Sequence, residues 1–142
     1  MYNPLLNKKP YGASVANMAT SMVFPLDSSI GVKRVFVVLR QVFGEGGERN
    51  GAPLRFELPY QKSERGQDVF VGAFALKEWG IWKYRFEGEL ENGDLAFFGR
   101  AMDGTAIRGD WLPEWQLTVT KRDYKTPNWA KHGVTYQIFA DR

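Results

Sequence analysis

The segment Trp82 to Glu91, WKYRFEGELE, alternates apolar and charged residues with a period of two. Trp82, Tyr84, Phe86 and Leu90 fall on one side, and Lys83, Arg85, Glu87, Glu89 and Glu91 on the other. That period belongs to a strand with one buried and one wet face, and no helix can satisfy it. Asn92-Gly93 follows at once, and both residues tolerate positive φ, so a type I′ turn is predicted there with Leu95–Phe98 returning as the second strand of a hairpin.

The same pattern extends over the chain. Leu54, Phe56, Leu58 and Tyr60 alternate with polar residues and predict a strand over 54–60, with Pro59 pushing that end towards a sheet edge. Residues 68–74 read as another strand. Val32 to Gln41 is apolar on both faces in its middle, as in a central strand covered on both sides. Residues 18–26 and 115–120 complete a set of about seven strands. Glycine-bearing turns punctuate them, and no window holds an i, i+3, i+4 apolar pattern over helical length. A chain of 142 residues is the size of one domain. The expectation is an all-β, immunoglobulin-like antiparallel β-sandwich. A five-stranded oligonucleotide/oligosaccharide-binding barrel is the alternative, because aromatic strands suit it too.

Composition removes several functions. The 19 Lys and Arg are scattered among 16 Asp and Glu apart from pairs such as Lys8-Lys9, Lys33-Arg34 and Lys121-Arg122, whereas phosphate-backbone binding needs a clustered basic face. No nucleic-acid partner is therefore expected. With no cysteine there is no disulfide, thiolate nucleophile or Cys-based zinc site, and with His132 as the single histidine there is no His cluster for a metal. Nothing approaches the roughly 20 apolar residues of a membrane-spanning helix, and the first residues lack a signal-peptide core, so a cytoplasmic protein without a membrane partner is expected. Glu87, Glu89 and Glu91 read as a solvated strand face rather than as catalytic carboxylates. Gly44-Glu45-Gly46-Gly47 lacks phosphate-loop spacing and reads as a mobile loop.

The tryptophans divide by context. Trp82 and Trp115 occupy the apolar faces of their strands and read as core. Trp79 precedes a turn glycine, and Trp111 sits in Gly109-Asp110-Trp111-Leu112-Pro113, where the flanking residues imply a loop. A loop indole can stack on the apolar face of a sugar ring while Asp110 or Glu78 accepts hydroxyl hydrogen bonds, which makes Trp79, Trp111 and Asp110 carbohydrate-binding candidates. The alternative is that both indoles cap the open ends of the sandwich.

The last 17 residues, from Thr126 to Arg142, carry a resemblance. Trp129 and the run Tyr136-Gln137-Ile138-Phe139-Ala140-Asp141-Arg142 resemble the junction at which α-amylase-family glycoside hydrolases pass from an N-terminal sandwich into the first strand of a catalytic (β/α)₈ barrel. Ala140 stands where that family usually has proline or valine. More weakly, the preceding residues resemble the N-terminal domains of neopullulanase-like and maltogenic-amylase-like enzymes, through Trp82-x-Tyr84-x-Phe86 and Gln116-Leu117-Thr118-Val119.

The resemblance implies a sandwich over 1–126, then a linker and first barrel strand over 127–142. It implies a parent retaining glycosidase acting on α-glucans, with calcium a possible cofactor of the parent and none in this segment. Tyr136, Gln137, Asp141 and Arg142 would support the pocket of that barrel without doing chemistry. The implied partners are an α-glucan, the protein's own barrel and a possible second copy in a homodimer. Two other readings stand beside it: a structural or oligomerisation sandwich that binds no glucan, and an unrelated adhesion or signalling sandwich. Because retaining hydrolysis needs two carboxyls about 5–5.5 Å apart on elements this sequence does not supply, the purified chain should release no reducing sugar from soluble starch. Measurable release would overturn that expectation.

Overall fold

The computed structural model of the chain describes residues 1–132. Among the described residues twelve strands form: β1 (Lys8–Lys9), β2 (Ser14–Val15), β3 (Ala19–Asp27), β4 (Val32–Gly44), β5 (Gly47–Glu48), β6 (Leu54–Leu58), β7 (Tyr60–Glu64), β8 (Gln67–Ala75), β9 (Gly80–Leu90), β10 (Leu95–Arg100), β11 (Ala106–Arg108) and β12 (Trp115–Thr120). Two short helices, α1 (Pro4–Asn7) and α2 (Asn128–His132), lie near the ends, the second within the stretch read as a linker. The predicted first barrel strand lies outside the described residues.

One sheet has the order β1-β3-β8-β7. In the other, β9 is the axis: β4 pairs along one edge, while β12 and β10 pair in turn with the first and second halves of the opposite edge. Every pairing is antiparallel except the two-residue parallel contact of β2 with β12. The protein is thus mostly β, two sheets facing one another across an aromatic core.

Eight strands have five residues or more where sequence periodicity predicts about seven, and Pro59 accounts for the difference. The predicted strand 54–60 breaks there: β6 pairs with β4 in one sheet and β7 with β8 in the other. Proline cannot donate to a ladder, so the chain changes sheets at that residue. Gly72 of β8 makes room for the crossing, since a Cβ there would stand 2.7 Å from Leu58 Cδ2 and 3.0 Å from the Glu57 carbonyl oxygen. As a result Leu58 is buried while Leu54 and Tyr60, expected on the same covered face, are exposed.

Turn chemistry also differs from expectation. At Asn92-Gly93 only the glycine has positive φ, +89°. Gly93 N–H donates to the Leu90 carbonyl and Asn92 Oδ1 accepts from Asp94 N–H, so the hairpin closes through a type I turn and a glycine bulge. The type I′ pattern, two successive positive φ values, occurs instead at Arg65 (+53°) and Gly66 (+74°) between β7 and β8. Gly44–Gly47, read as a mobile loop, forms the β4–β5 hairpin, with Phe43 opposite Glu48.

The core is built around β9. Trp82, Tyr84 and Phe86 are buried, as is Trp115 beside Tyr84 on β12. Phe24 of the other sheet lies 4.3 Å from Phe86, ring centre to ring centre, and 5.4 Å from Phe98. Tyr2, a residue with no periodic neighbours, fills the remaining space at 0% exposure. It contacts Phe24, Phe86 and Trp115, its carbonyl accepts from Ala106 N–H, and its hydroxyl lies 3.0 Å from that of Tyr84.

Tyr2→Ala leaves a ring-sized cavity and should cost about 3–5 kcal/mol, whereas Tyr2→Phe keeps the ring and loses about 1 kcal/mol for the hydrogen bond. Urea denaturation checks both; equal losses would show that the hydroxyl pair, not packing, anchors the segment.

Burial pushes the Tyr84 phenol up to about 12 and also raises that of Tyr2. The unfolded phenols ionise near pH 10. The stability due to these neutral phenols is present below about pH 10 and is lost as pH rises from there through 12, because the unfolded chain releases its protons first. The melting temperature should therefore fall across that window, and the paired substitution Tyr2→Phe with Tyr84→Phe should flatten the fall.

Candidate functional site

The polar face of the larger sheet has two unlike ends. Antiparallel register sets Arg34 of β4 beside Glu89 of β9, Phe36 beside Glu87, Val38 beside Arg85 and Arg40 beside Lys83. At the first end charges alternate in sign and pair off. Arg34 binds Glu57 at 2.7 Å and Glu89 at 3.2 Å, Arg55 reaches Glu89 at 3.1 Å, and Arg85 reaches Glu87 at 2.9 Å. Hydrogen bonds from Arg34 hold the Glu57 carboxyl below the usual carboxylate range. The guanidinium carbons of Arg55 and Arg34 lie 3.4 and 4.8 Å from the Phe36 ring centre. Phe36 is thereby buried under arginines, so the middle of β4 is covered on both faces without a second sheet. Of the glutamates expected to be solvated, Glu87 and Glu89 belong to this ion lattice, while Glu91 is exposed as expected.

At the other end the pairing runs out. Arg40 engages Glu114 at 2.7 Å, and those hydrogen bonds raise the guanidinium's pKa. Lys83 has Arg40 and Gln116 as its cross-strand neighbours and Arg85 two residues along its own strand. Among the described residues neither Lys83 nor Arg100 forms an ion pair.

The segment 109–114 rises over this end. Gly99 lacks the side chain that would block it: a Cβ there would lie 2.4 Å from Leu112 Cβ and 2.8 Å from the Pro113 carbonyl oxygen. Two hydrogen bonds clamp the segment along β10, Arg100 N–H to the Pro113 carbonyl at 2.7 Å and Gly109 N–H to the Phe97 carbonyl at 3.0 Å. The clamp places Trp111 at φ +58°, a left-handed conformation rare for a bulky residue, and leaves its indole fully exposed.

Beneath it is a groove of about 860 Å³, walled by Trp111, Asp110 and Glu114 and floored by Lys83, Arg85 and Phe97. A flat aromatic surface beside hydrogen-bonding and cationic groups can stack on a ring and orient its polar substituents. No cluster of three or more His, Asp or Glu side chains able to hold a metal occurs among the described residues.

The predicted site residues separate. Trp111 and Asp110 share the groove. Trp79 lies elsewhere: Gly80 pairs with Val119 and Tyr84 with Trp115, so Trp79 and the 109–114 segment leave opposite ends of the β9–β12 pair, about 13 Å of strand apart. Lys121 Nζ covers the Trp79 ring at 4.7 Å, and the Trp79 carbonyl accepts from Gln41 Nε2, so this indole caps the sandwich end. Tyr136, Gln137, Asp141 and Arg142 lie outside the described residues. Sequence reading missed Arg40, Lys83, Arg85, Phe97 and Glu114. The missing signal was register, since Arg40 and Lys83 are 43 positions apart and only the β4–β9 pairing brings them together. No family model matches the chain, and neither does any curated protein.

Trp111→Gly should leave the melting temperature unchanged or raise it by a degree or two, because glycine adopts this φ freely and the indole packs against little. A clear drop would assign Trp111 a structural role. Gly99→Ala should cost about 1–3 kcal/mol and displace Leu112, read as a melting shift with altered Trp fluorescence.

Proposed function

We infer that this chain is a non-catalytic carbohydrate-binding sandwich, of immunoglobulin-like type, belonging to a glycosidase that acts on α-glucans. The observation that carries the reading is the Trp111 indole, held in a strained backbone conformation and fully exposed above a groove with polar walls. Exposing an indole and straining its backbone both cost free energy, and stacking on a sugar ring would use both. Asp110 and Glu114 can accept hydrogen bonds from sugar hydroxyls beside that platform. The α-glucan assignment rests on the resemblance of Thr126–Arg142 to an amylase-family junction.

Titration with maltoheptaose, followed by Trp fluorescence, tests the proposal. The wild-type signal should saturate, Trp111→Ala should weaken binding at least about tenfold, and Trp79→Ala should leave it unchanged. No saturable change at millimolar maltoheptaose would overturn the reading.

A contact role is favoured by a different observation. Leu5, Leu6 and Tyr11, near the N-terminus, are 61%, 77% and 72% exposed and lie far from the Trp111 groove in sequence. An oligomerisation domain would bury them, and sedimentation of wild type against Leu5→Lys with Leu6→Lys separates a dimer from a monomer.

A further inference from the structure

The groove beneath Trp111 is lined by three cationic residues of the outer face of β4 and β9, Arg40, Lys83 and Arg85, by Arg100 at the end of β10, and by two acidic residues, Asp110 and Glu114. Its positive excess is local, because further along the same face every arginine meets a glutamate. Like charges directly opposed across an antiparallel pair destabilise it, and Arg40 faces Lys83 in that way. Arg85 adds a third cation about 7 Å along the strand from Lys83. Glu114 balances Arg40 and Glu87 balances Arg85, which leaves the Lys83 ammonium without a counter-ion among the described residues. An anion between Lys83 and Trp111 would remove that repulsion, and a neutral sugar would not.

We propose that the groove binds a saccharide carrying an anionic substituent, with Trp111 stacking on a sugar ring and Lys83 receiving the charged group. The inference rests on the reading of the groove as a glycan site and specifies the ligand class. A single-stranded nucleic acid fits less well. Such chains need a continued basic track and successive stacking surfaces, whereas here the track ends at Glu87 and Glu89, and one exposed indole serves the groove.

Affinity electrophoresis of the full chain in gels cast with phosphate-bearing amylopectin, or with the same polymer after phosphatase treatment, tests the proposal. Wild type should bind the phosphate-bearing polymer about tenfold more tightly than the treated one. Lys83→Gln should abolish that difference. Lys33→Gln, which loses the same charge at the far end of β4, should behave as wild type. Melting curves establish that each variant is folded.

Equal retardation of wild type in the two gels would overturn the anion inference and leave glycan binding standing. Absence of retardation in both would overturn the glycan reading beneath it. Equal losses for Lys33→Gln and Lys83→Gln would reduce the effect to net charge and overturn the assignment to Lys83. Tighter binding of a single-stranded oligonucleotide than of the phosphate-bearing polymer would transfer the groove to nucleic acid and overturn the proposal.

Discussion

The pairing of β4 with β9 is the constraint from which the rest of the molecule follows. Ten residue pairs run from Val32 opposite Leu90 to Phe43 opposite Ile81, and their register decides what each face of the larger sheet can do. On the inner face it lines up Val35, Val37 and Leu39 with the row Trp82, Tyr84 and Phe86, giving a continuous apolar surface against which the second sheet packs. On the outer face it sets the charges of one strand against those of the other. A slip by one residue would exchange the faces, placing Lys83, Arg85, Glu87 and Glu89 in the core, so burial of the aromatic row and placement of the ions are enforced together.

Two irregular pieces complete what the pairing begins. Tyr2 enters from outside any long strand and closes the aromatic core against Phe86 and Trp115. The 109–114 segment crosses β10 where Gly99 leaves room, and Leu112 fills that space. Both depend on close approach rather than on periodicity. A methyl group at position 99 would lift the segment, and with it Trp111, away from the groove floor.

These differences define what was legible in the sequence. The strand from Trp82, its hairpin partner and the buried indoles of Trp82 and Trp115 follow from period-two alternation, which is a local property. The split at Pro59 was half legible: proline marked the edge, but the change of sheet depends on where Gly72 lies, and that is a long-range fact. Asn92-Gly93 was read as type I′ because both residues tolerate it, yet the Asx contact to Asp94 favours a different closure, and Arg65-Gly66 takes the mirror-image turn. Trp111 was legible as a loop indole from its glycine and proline neighbours. Trp79 looked equivalent, but it leaves the other end of the β9–β12 pair, and Lys121 covers its ring. The cationic floor was illegible for the same reason as the ion lattice: each is a product of register.

The lattice and the groove also bear on one another. In the lattice, Glu87 and Glu89 each meet two arginines, so the sheet is able to neutralise its outer charges where the sequence supplies acids. At Lys83 the equivalent cross-strand positions hold Arg40 and Gln116, and a glutamate at either would complete the pattern. A surface serving stability alone has no reason to stop there, since opposed like charges cost rather than contribute. The same few residues lie beneath the one tryptophan held at positive φ. Backbone strain at Trp111 and unbalanced charge at Lys83 have separate physical origins, one in the clamp on the 109–114 segment and the other in the β4–β9 register. Their coincidence at a single groove is what a purely structural sandwich leaves unexplained, and what a ligand with a ring to stack and a charge to place would account for at once.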